Sequence, residues 1–141
     1  MYFINLPQLS DLLVIVLTIA GEGIGESWEG KVGIADSIYN YAQDHHLTIR
    51  QSCLARKPDR YSCWGNPDKL IAKTASFETT TQAWKDCMRI ARALNAGNYS
   101  PASVSTHYLN PKLVKKMPAW TKKMRLIGDV GNHRFYTENN H

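Results

Sequence analysis

The feature that most constrains this 141-residue chain is a run of nine apolar or hydroxyl-bearing residues, Leu12 to Ala20. The run predicts a helix that is apolar nearly all round and must therefore be buried in the core. The residues that follow, Gly21 to Glu26, place Glu22 and Glu26 among three glycines, which we expect to break this helix. Because a carboxylate beside buried apolar surface is poorly solvated, it is either paired or held protonated.

The rest of the chain predicts a mostly helical α+β fold. Hydrophobic residues make up 43% and charged residues 21% of the sequence, as in a globular protein, and the length fits a single domain over residues 1–141. Apolar spacing predicts a helix that begins after Ser27 and another over about 80–96 that ends at Gly97. Residues 125–137 are typical of a hairpin, with Gly128-Asp129 and Gly131-Asn132 as candidate turns.

The charge pattern limits the partners. Seventeen Lys and Arg against twelve Asp and Glu give a net charge of +5, which favours an anionic partner such as nucleic acid, a membrane surface or a cell-wall polymer and does not choose among them. We expect no nucleic-acid binding, because no helix carries a clustered basic face. The apolar run is too short to span a bilayer and no Lys or Arg precedes it, so we expect neither stable membrane insertion nor a signal peptide. The chain is expected to be a monomer.

Cysteine usage gives little sign of a disulfide framework or a metal site. The three cysteines are an odd number, although Cys53 and Cys63 flank a loop and can pair in an oxidising compartment. Cys87 lies on the apolar face of a predicted helix and is expected in the core. No two cysteines have the spacing of a zinc site, and we expect no metal and no organic cofactor.

Four clusters carry residues suited to chemistry. Glu22 is a candidate general acid, although its position alone favours a surface glutamate in a glycine loop. The other clusters are Tyr61 to Trp64, Thr106 to Pro111 and Gly131 to Tyr136, in which aromatic rings and hydroxyls suit a sugar ligand. Each also has a structural interpretation as a plug at the core edge, a turn or a hairpin. A nucleophile at Ser62 or Cys63, with a histidine as base, is a further alternative that lacks a nucleophile-elbow pattern.

Taken in order, these clusters resemble the SleB-type cell wall hydrolases, which include spore-cortex-lytic enzymes and phage proteins. The matching segments are Gly21 to Glu26, Tyr61 to Trp64, Thr106 to Pro111, Pro118 to Trp120 and Gly131 to Tyr136. They cover the chain from about residue 13 to its end. The family has Ala or Ser followed by Arg between the two glutamates, whereas this chain has Gly23 and Ile24.

The resemblance implies a lysozyme-like fold with a small C-terminal β-hairpin, and cleavage of the glycan strand of peptidoglycan between N-acetylmuramic acid and N-acetylglucosamine. It implies that Glu22 is the catalytic acid of a lytic transglycosylase, which needs no second carboxylate. Glu26 is a substrate contact or, alternatively, the second carboxylate of a hydrolytic muramidase. A non-catalytic wall-binding module is a further alternative.

The expected substrate contacts form two walls of a cleft and one further pair. They are Tyr61, Ser62 and Trp64 on one wall, His107, Tyr108 and Asn110 on the other, and Asn132 with His133. We expect the protein to be made in the cytoplasm and to act on the cell wall, as a phage endolysin released through a membrane hole or as a lysin carried in the virion. A bacterial wall-remodelling enzyme exported by another route is the remaining alternative.

Overall fold

The buried helix predicted near the N-terminus is the centre of the fold. We describe the protein from a computed structural model, in which residues 1–56 and 60–138 are described. The helices and strands of these residues are, in order, β1 (Tyr2–Phe3), α1 (Asp11–Gly23), α2 (Trp28–Asp44), α3 (Ile49–Leu54), β2 (Ala55–Arg56), α4 (Pro67–Ala75), α5 (Gln82–Ala96), β3 (His107–Leu109), β4 (Arg125–Val130) and β5 (His133–Thr137). Short 3₁₀ helices cover Ser62–Gly65, Pro111–Leu113 and Ala119–Lys123.

Helix α1 lies in the core and packs against α5, with α2, α3 and α4 beside it. The Ser10 hydroxyl caps its first turn by accepting a hydrogen bond from the Leu13 amide at 3.2 Å. Its fully buried side chains lie on every face, which is the burial that the apolar run predicts. They include Val14, Ile15, Val16, Thr18 and Ile19.

The prediction that the glycines break α1 is wrong, because the helix continues through Gly21 to Gly23. Neither of these glycines has a positive φ. A Cβ on Gly21 would come within 2.7 Å of the Leu70 side chain, and one on Gly23 within 2.4 Å of Ile34. The glycines therefore allow close packing of the last turn of α1, and Glu22 is a helical residue.

The other predicted helices are confirmed. The Ser27 hydroxyl caps α2, and the Thr81 hydroxyl caps α5, by accepting backbone hydrogen bonds. Gly97 ends α5 in the left-handed conformation, with φ of 78°. Cys53 and Cys87 are buried in the core, and Cys63 is partly buried. All three are free thiols, so the pairing that the sequence left open is not formed.

The C-terminal strands form an antiparallel sheet in the order β3-β5-β4, and the predicted hairpin is β4 with β5. The hairpin turns at Gly131, whose φ is 58°. The alternative turn at Gly128-Asp129 is wrong, because both residues lie inside β4 next to a register shift between Leu126 and Gly128. Strand β3 and the two-residue β1-β2 pair were not predicted from the sequence.

The sheet rests directly on α2. A Cβ on Gly33 would come within 2.5 Å of the Phe135 ring, so the ring packs against helix backbone. The buried Asp36 carboxylate accepts hydrogen bonds from the Tyr99 hydroxyl at 2.6 Å and from the amides of Ala102 and Ser103. These bonds fix the segment that leads into β3, and so they fix where β3 meets the end of α1.

The described part of the chain contains no helix that is long and apolar enough to cross a membrane.

Candidate active site

Glu22 lies in the last turn of α1, and its half-buried carboxylate faces two other parts of the chain. One oxygen accepts a hydrogen bond from the Tyr108 hydroxyl at 2.6 Å. The other accepts from the Cys63 backbone amide at 3.1 Å and from the Ser62 hydroxyl at 3.4 Å. The glutamate is therefore paired, which is one of the two outcomes expected for a carboxylate beside apolar surface.

Tyr108 reaches Glu22 from β3, the edge strand that pairs with β5. Its ring packs near the rings of Phe135, His133 and Tyr61, with centroids 5.5, 4.8 and 6.1 Å away. Burial and the neighbouring Glu22 carboxylate raise the pKa of Tyr108 well above its ordinary value. The phenol therefore stays protonated and remains a donor to Glu22.

The turn that carries Ser62 and Cys63 is held by a residue at its far end. The Trp64 indole N–H donates to the Thr18 hydroxyl on α1 at 2.8 Å, and Thr18 in turn donates to the Val14 carbonyl at 2.7 Å. Because this anchor lies about one helical turn before Glu22, it fixes the Ser62 and Cys63 donors relative to the carboxylate.

Trp64 itself is not on the wall of a cleft. Its side chain is completely buried, since it fills the core beside α1 and its only polar atom is bonded to Thr18. Tyr61 is also buried, at 1% exposure, and its hydroxyl accepts a hydrogen bond from Arg60 at 2.8 Å. Of the predicted wall over 61–64, Ser62 is the exposed side chain that contacts Glu22.

Glu26 lies beyond the end of α1, and its carboxylate holds the hairpin turn. It accepts hydrogen bonds from the Asn132 amide at 3.2 Å and from the Asn132 side chain at 3.0 Å. A Cβ on Gly131 would come within 2.7 Å of the same carboxylate. The backbone carbonyl of Glu26 accepts from the ammonium of Lys31, which is 2% exposed.

The neighbours of Glu26 stabilise its ionised form. Burial alone raises the pKa of this carboxyl. The hydrogen bonds from Asn132 and the positive charges of His133 and Lys31 outweigh burial and hold its pKa below its ordinary value. With 11% of its side chain exposed, Glu26 is an ionised and largely enclosed carboxylate.

His133 links the two glutamates. Its Nδ1 lies 3.8 Å from a Glu26 oxygen, and its ring contacts the edge of the Tyr108 ring. The Tyr108 hydroxyl then reaches Glu22. The structure thus brings together Glu22, Ser62 and Tyr108 directly, and Glu26, Asn132 and His133 next to them.

His107 and Asn110 are engaged elsewhere. The His107 Nε2 lies 3.2 Å from the Arg60 guanidinium, and its Nδ1 lies 2.9 Å from the Thr106 hydroxyl. Burial, together with the charges of Arg60 and His45, lowers the pKa of His107 to about 3. The Asn110 side chain accepts from the Lys112 amide at 2.9 Å, which is the turn-forming role that the sequence left open.

The contacts do not favour a nucleophile at Ser62 or Cys63. Burial and the Glu22 carboxylate raise the pKa of the Cys63 thiol, so it stays protonated. The histidines make their contacts with other residues, His107 with Arg60 and His133 with Glu26. The Ser62 hydroxyl donates to the Glu22 carboxylate rather than to a histidine, and at 3.4 Å this hydrogen bond is long.

Arg60 is a feature of the site that the sequence did not reveal. Its guanidinium stacks on the Tyr41 ring at 3.4 Å and donates to the Thr106 carbonyl at 2.9 Å. A cavity of about 480 Å³ lies against Arg60, and its lining includes the rings of His107, Tyr108 and Trp120. Glu22 does not line this cavity, but Tyr108 borders it with its ring and holds Glu22 with its hydroxyl.

One contact to Glu22 and one anchor of the turn beside it show why sequence reasoning was incomplete. The Cys63 donor is a backbone amide, so no residue type marks it. The Thr18 anchor is a hydroxyl inside an apolar run, and it signals a buried polar partner without saying which one. In the part of the chain that the structure describes, no group of three or more His, Cys, Asp or Glu side chains could hold a metal ion.

The chemistry open to Glu22 follows from its donors. Hydroxyls both donate and accept, so Tyr108 and Ser62 can donate to the carboxylate and can accept from the protonated acid. The two hydroxyls can therefore bond Glu22 in both its ionised and its protonated form. An acid that first gives up a proton and then takes one back needs this.

A mostly helical α+β fold that sets a carboxylate from a buried helix against a short antiparallel sheet is lysozyme-like. The sequence profile described as Cell Wall Hydrolase matches residues 25–136, beginning just after Glu22. Because that match spans most of the sequence, the chain belongs to the cell wall hydrolase family.

Solved structures support the fold. The catalytic domain of the germination-specific lytic transglycosylase SleB from Bacillus anthracis is 18% identical, with a TM-score of 0.60. That match covers 94% of this chain and 100% of the SleB domain. The catalytic domain of the Bacillus cereus SleB protein is 19% identical, with a TM-score of 0.60 over 90% of this chain and 89% of that one. No curated protein matches the sequence significantly.

Proposed function

We propose that the protein cleaves the glycan strand of peptidoglycan as a lytic transglycosylase, with Glu22 as its acid and base. The observation that carries this proposal is the placement of Glu22, a half-buried carboxylate at a helix end that two hydroxyls and an amide hold. Membership of the cell wall hydrolase family and the SleB-like fold support the choice of substrate.

In the proposed reaction, protonated Glu22 donates its proton to the oxygen between N-acetylmuramic acid and N-acetylglucosamine. The bond from that oxygen to C1 of muramic acid breaks, and the neighbouring acetamido group stabilises the positive charge at C1. The Glu22 carboxylate then takes the proton from the 6-hydroxyl of the same sugar as its oxygen bonds to C1. The products are a 1,6-anhydro end and a free 4-hydroxyl, and Glu22 is protonated again.

The environment of Glu26 supports a reaction with one carboxylate. A hydrolytic muramidase needs a second carboxylate to bind a water or to attack C1. The Glu26 oxygens are instead bonded to Asn132 and lie near His133, with 11% of the side chain exposed. The matching role for Glu26 is to hold the hairpin beside the site.

The test of the acid is Glu22→Gln, which keeps the shape of the side chain but removes its proton. We expect release of muropeptides from purified sacculi to fall by about a hundredfold or more, while the circular dichroism spectrum stays unchanged. Glu78→Gln, at an exposed glutamate, is the matched control and should keep full activity. Full activity of Glu22→Gln would overturn the proposal, and binding to sacculi without any release by the parent protein would indicate a wall-binding module.

Mass spectrometry of the products separates the two reactions. A lytic transglycosylase leaves 1,6-anhydro ends, whereas a muramidase adds water and leaves reducing ends. Reducing ends, lost in Glu26→Gln, would show that Glu26 serves as the second carboxylate.

For the biological setting we propose that the protein is a phage lysin. It reaches the wall either as an endolysin released through the membrane or as a component of the virion. The net charge of +5 suits an anionic wall polymer. Expression of the protein in the bacterial cytoplasm should lyse cells only when a membrane-permeabilising protein is expressed with it. Lysis without that protein would point to another route of export.

A further inference from the structure

The imidazole of His133 contains a buried nitrogen without a hydrogen-bond partner. Its Nδ1 is enclosed, and it bonds to no group in the part of the chain that the structure describes. A Glu26 oxygen lies 3.8 Å away, which is longer than a hydrogen bond. Buried polar groups are nearly always bonded, so an exception needs a physical explanation. The two neighbours of this ring, Glu26 and Tyr108, supply one.

Glu26 determines which nitrogen of His133 carries a proton. A neutral imidazole has one donor nitrogen and one acceptor nitrogen, whereas an ionised carboxylate only accepts. The pKa of Glu26 lies below its ordinary value, so the carboxylate is ionised at neutral pH. A lone pair on Nδ1 would face this negative charge, whereas an N–H group there is attracted to it. The proton therefore belongs on Nδ1.

Glu26 is itself held on several sides, so it is a fixed reference for the imidazole. Its oxygens accept from the backbone amide and the side chain of Asn132. A Cβ on Gly131 would come within 2.7 Å of one of these oxygens, and a Cβ on Gly30 within 3.0 Å of the Glu26 Cβ. The Glu26 carbonyl accepts from the buried ammonium of Lys31. The carboxylate therefore has little room to move away from His133.

On its other side His133 supports Tyr108. Tyr108 is opposite Phe135 in the register of β3 and β5, and His133 is two residues before Phe135, so the three side chains lie on one face of the sheet. The His133 ring meets the Tyr108 ring by its edge, with centroids 4.8 Å apart and planes at 60°. The hydroxyl at the far end of the Tyr108 ring donates to Glu22 at 2.6 Å. A small tilt of the Tyr108 ring therefore displaces this donor most.

We infer that Glu26 and His133 are positioning residues for the acid. Glu26 holds a proton on His133 Nδ1, the imidazole fixes the tilt of the Tyr108 ring, and the Tyr108 hydroxyl is thereby aimed at Glu22. This role rests on the proposed function, because it concerns the geometry of the proposed acid. It gives the second glutamate a use in the reaction that requires no contact with a sugar or a water.

A spectroscopic test does not depend on catalysis. In protein with isotope-labelled histidine and tyrosine, nuclear magnetic resonance should show the His133 proton on Nδ1. Glu26→Gln should weaken this preference, and both Glu26→Gln and His133→Phe should shift the signal of the Tyr108 ring carbon that bears the hydroxyl. Glu29→Gln, at an exposed glutamate of α2, is the matched control and should change neither signal. A proton on Nε2 alone in the parent, or a Tyr108 signal that neither substitution shifts, would overturn the positioning role.

The kinetic test is a double-mutant cycle with Tyr108→Phe. On its own, His133→Phe should lower turnover on sacculi about threefold to tenfold, with KM nearly unchanged and with 1,6-anhydro ends on the products. In the Tyr108→Phe background the same substitution should cost less than about twofold, because the hydroxyl that it displaces is already gone. If His133→Phe lowers the urea midpoint of unfolding, Glu26→Gln takes its place in the cycle.

The outcomes separate this role from the lytic function. Losses that multiply in the double variant, in a protein that releases anhydro ends, would overturn the positioning role alone and leave Glu22 as the acid. A parent protein that releases no muropeptides would overturn the lytic function, whatever the spectra show.

Discussion

Tyr108 connects the sheet to the carboxylate at the end of α1. Its partner Glu22 is 86 positions away in sequence, and the 2.6 Å hydrogen bond forms only because β3 lies against the helical part of the fold. The hydrogen bond from this hydroxyl is the shortest of the three that the Glu22 carboxylate accepts. Under the proposed function, this hydrogen bond fixes where the Glu22 proton sits when a glycosidic oxygen approaches.

Tyr108→Phe removes this hydroxyl but keeps the ring packed against Phe135, His133 and Tyr61. We expect turnover on sacculi to fall about tenfold to a hundredfold, with little change in the urea midpoint of unfolding. Initial rates of muropeptide release measure the effect. The control is Tyr39→Phe on α2, which should keep parental rates, and a parental rate for Tyr108→Phe would show that the hydroxyl does not orient the acid.

At this scale, residue identity in the sequence identified the carboxylate and its hydroxyl partners, but not how each is used. Ser62 and Tyr108 do contact Glu22. Trp64 and Asn110 have the composition of ligand contacts, yet one fills the core and the other caps a turn. Composition shows that a ring or an amide needs a partner, and only the packed chain shows whether that partner is solvent, core or ligand.

The last turn of α1 is the element on which the site depends. It contains Gly21, which lies against the 3₁₀ turn carrying the Cys63 amide and against Leu70 of α4. The close approach of these elements sets the distance from that amide to Glu22.

Gly21→Ala introduces a methyl group 2.9 Å from the Cys63 Cβ. We expect a loss of about 1–3 kcal/mol in the free energy of unfolding, because the turn must move, and a reduced rate of glycan cleavage for the same reason. Urea unfolding followed by fluorescence measures the first effect. Gly25→Ala is the matched control, since a Cβ there meets no atom within 4 Å, and it should be neutral or slightly stabilising.

Helices whose apolar residues recur at a regular spacing were predictable from the sequence. Elements fixed by long-range contacts were not. Helices α2 and α5 follow from apolar spacing, from the cap at Ser27 and from the stop at Gly97. Strand β3 has three residues, too few for a pattern, and it exists because β5 pairs with it. The glycines after Ala20 look like helix breakers in sequence, but contact with other elements gives them the opposite role.

For the whole molecule, His107 predicts a loss of stability in acid. Its pKa of about 3 in the folded protein lies below the ordinary value of 6.5, so the unfolded chain binds the extra proton first. Its contribution is complete above about pH 6.5 and is lost progressively as the pH falls toward 3. The pKa of Glu26 is also lowered, from an ordinary value of 4.5. Its contribution to stability is therefore complete above about pH 4.5 and is lost as the pH falls from there through the lowered pKa.

Urea unfolding of the parent protein should show a loss of about 1–2 kcal/mol between about pH 7 and about pH 5. His107→Gln should be less stable near pH 7 but should depend less steeply on pH over this interval. His46→Gln, at an exposed histidine, is the control and should follow the parent. Parallel pH profiles for the parent and His107→Gln would contradict the assignment of this loss to His107.

The order in which the site's parts occur along the chain has a consequence for biosynthesis. The acid is made early, on α1, while the tyrosine that holds it and the hairpin that Glu26 fastens are made late, on β3 and after β4. A ribosome-bound or prematurely ended polypeptide lacks those late parts, so under the proposed function it has no assembled acid with which to attack the wall of its own host.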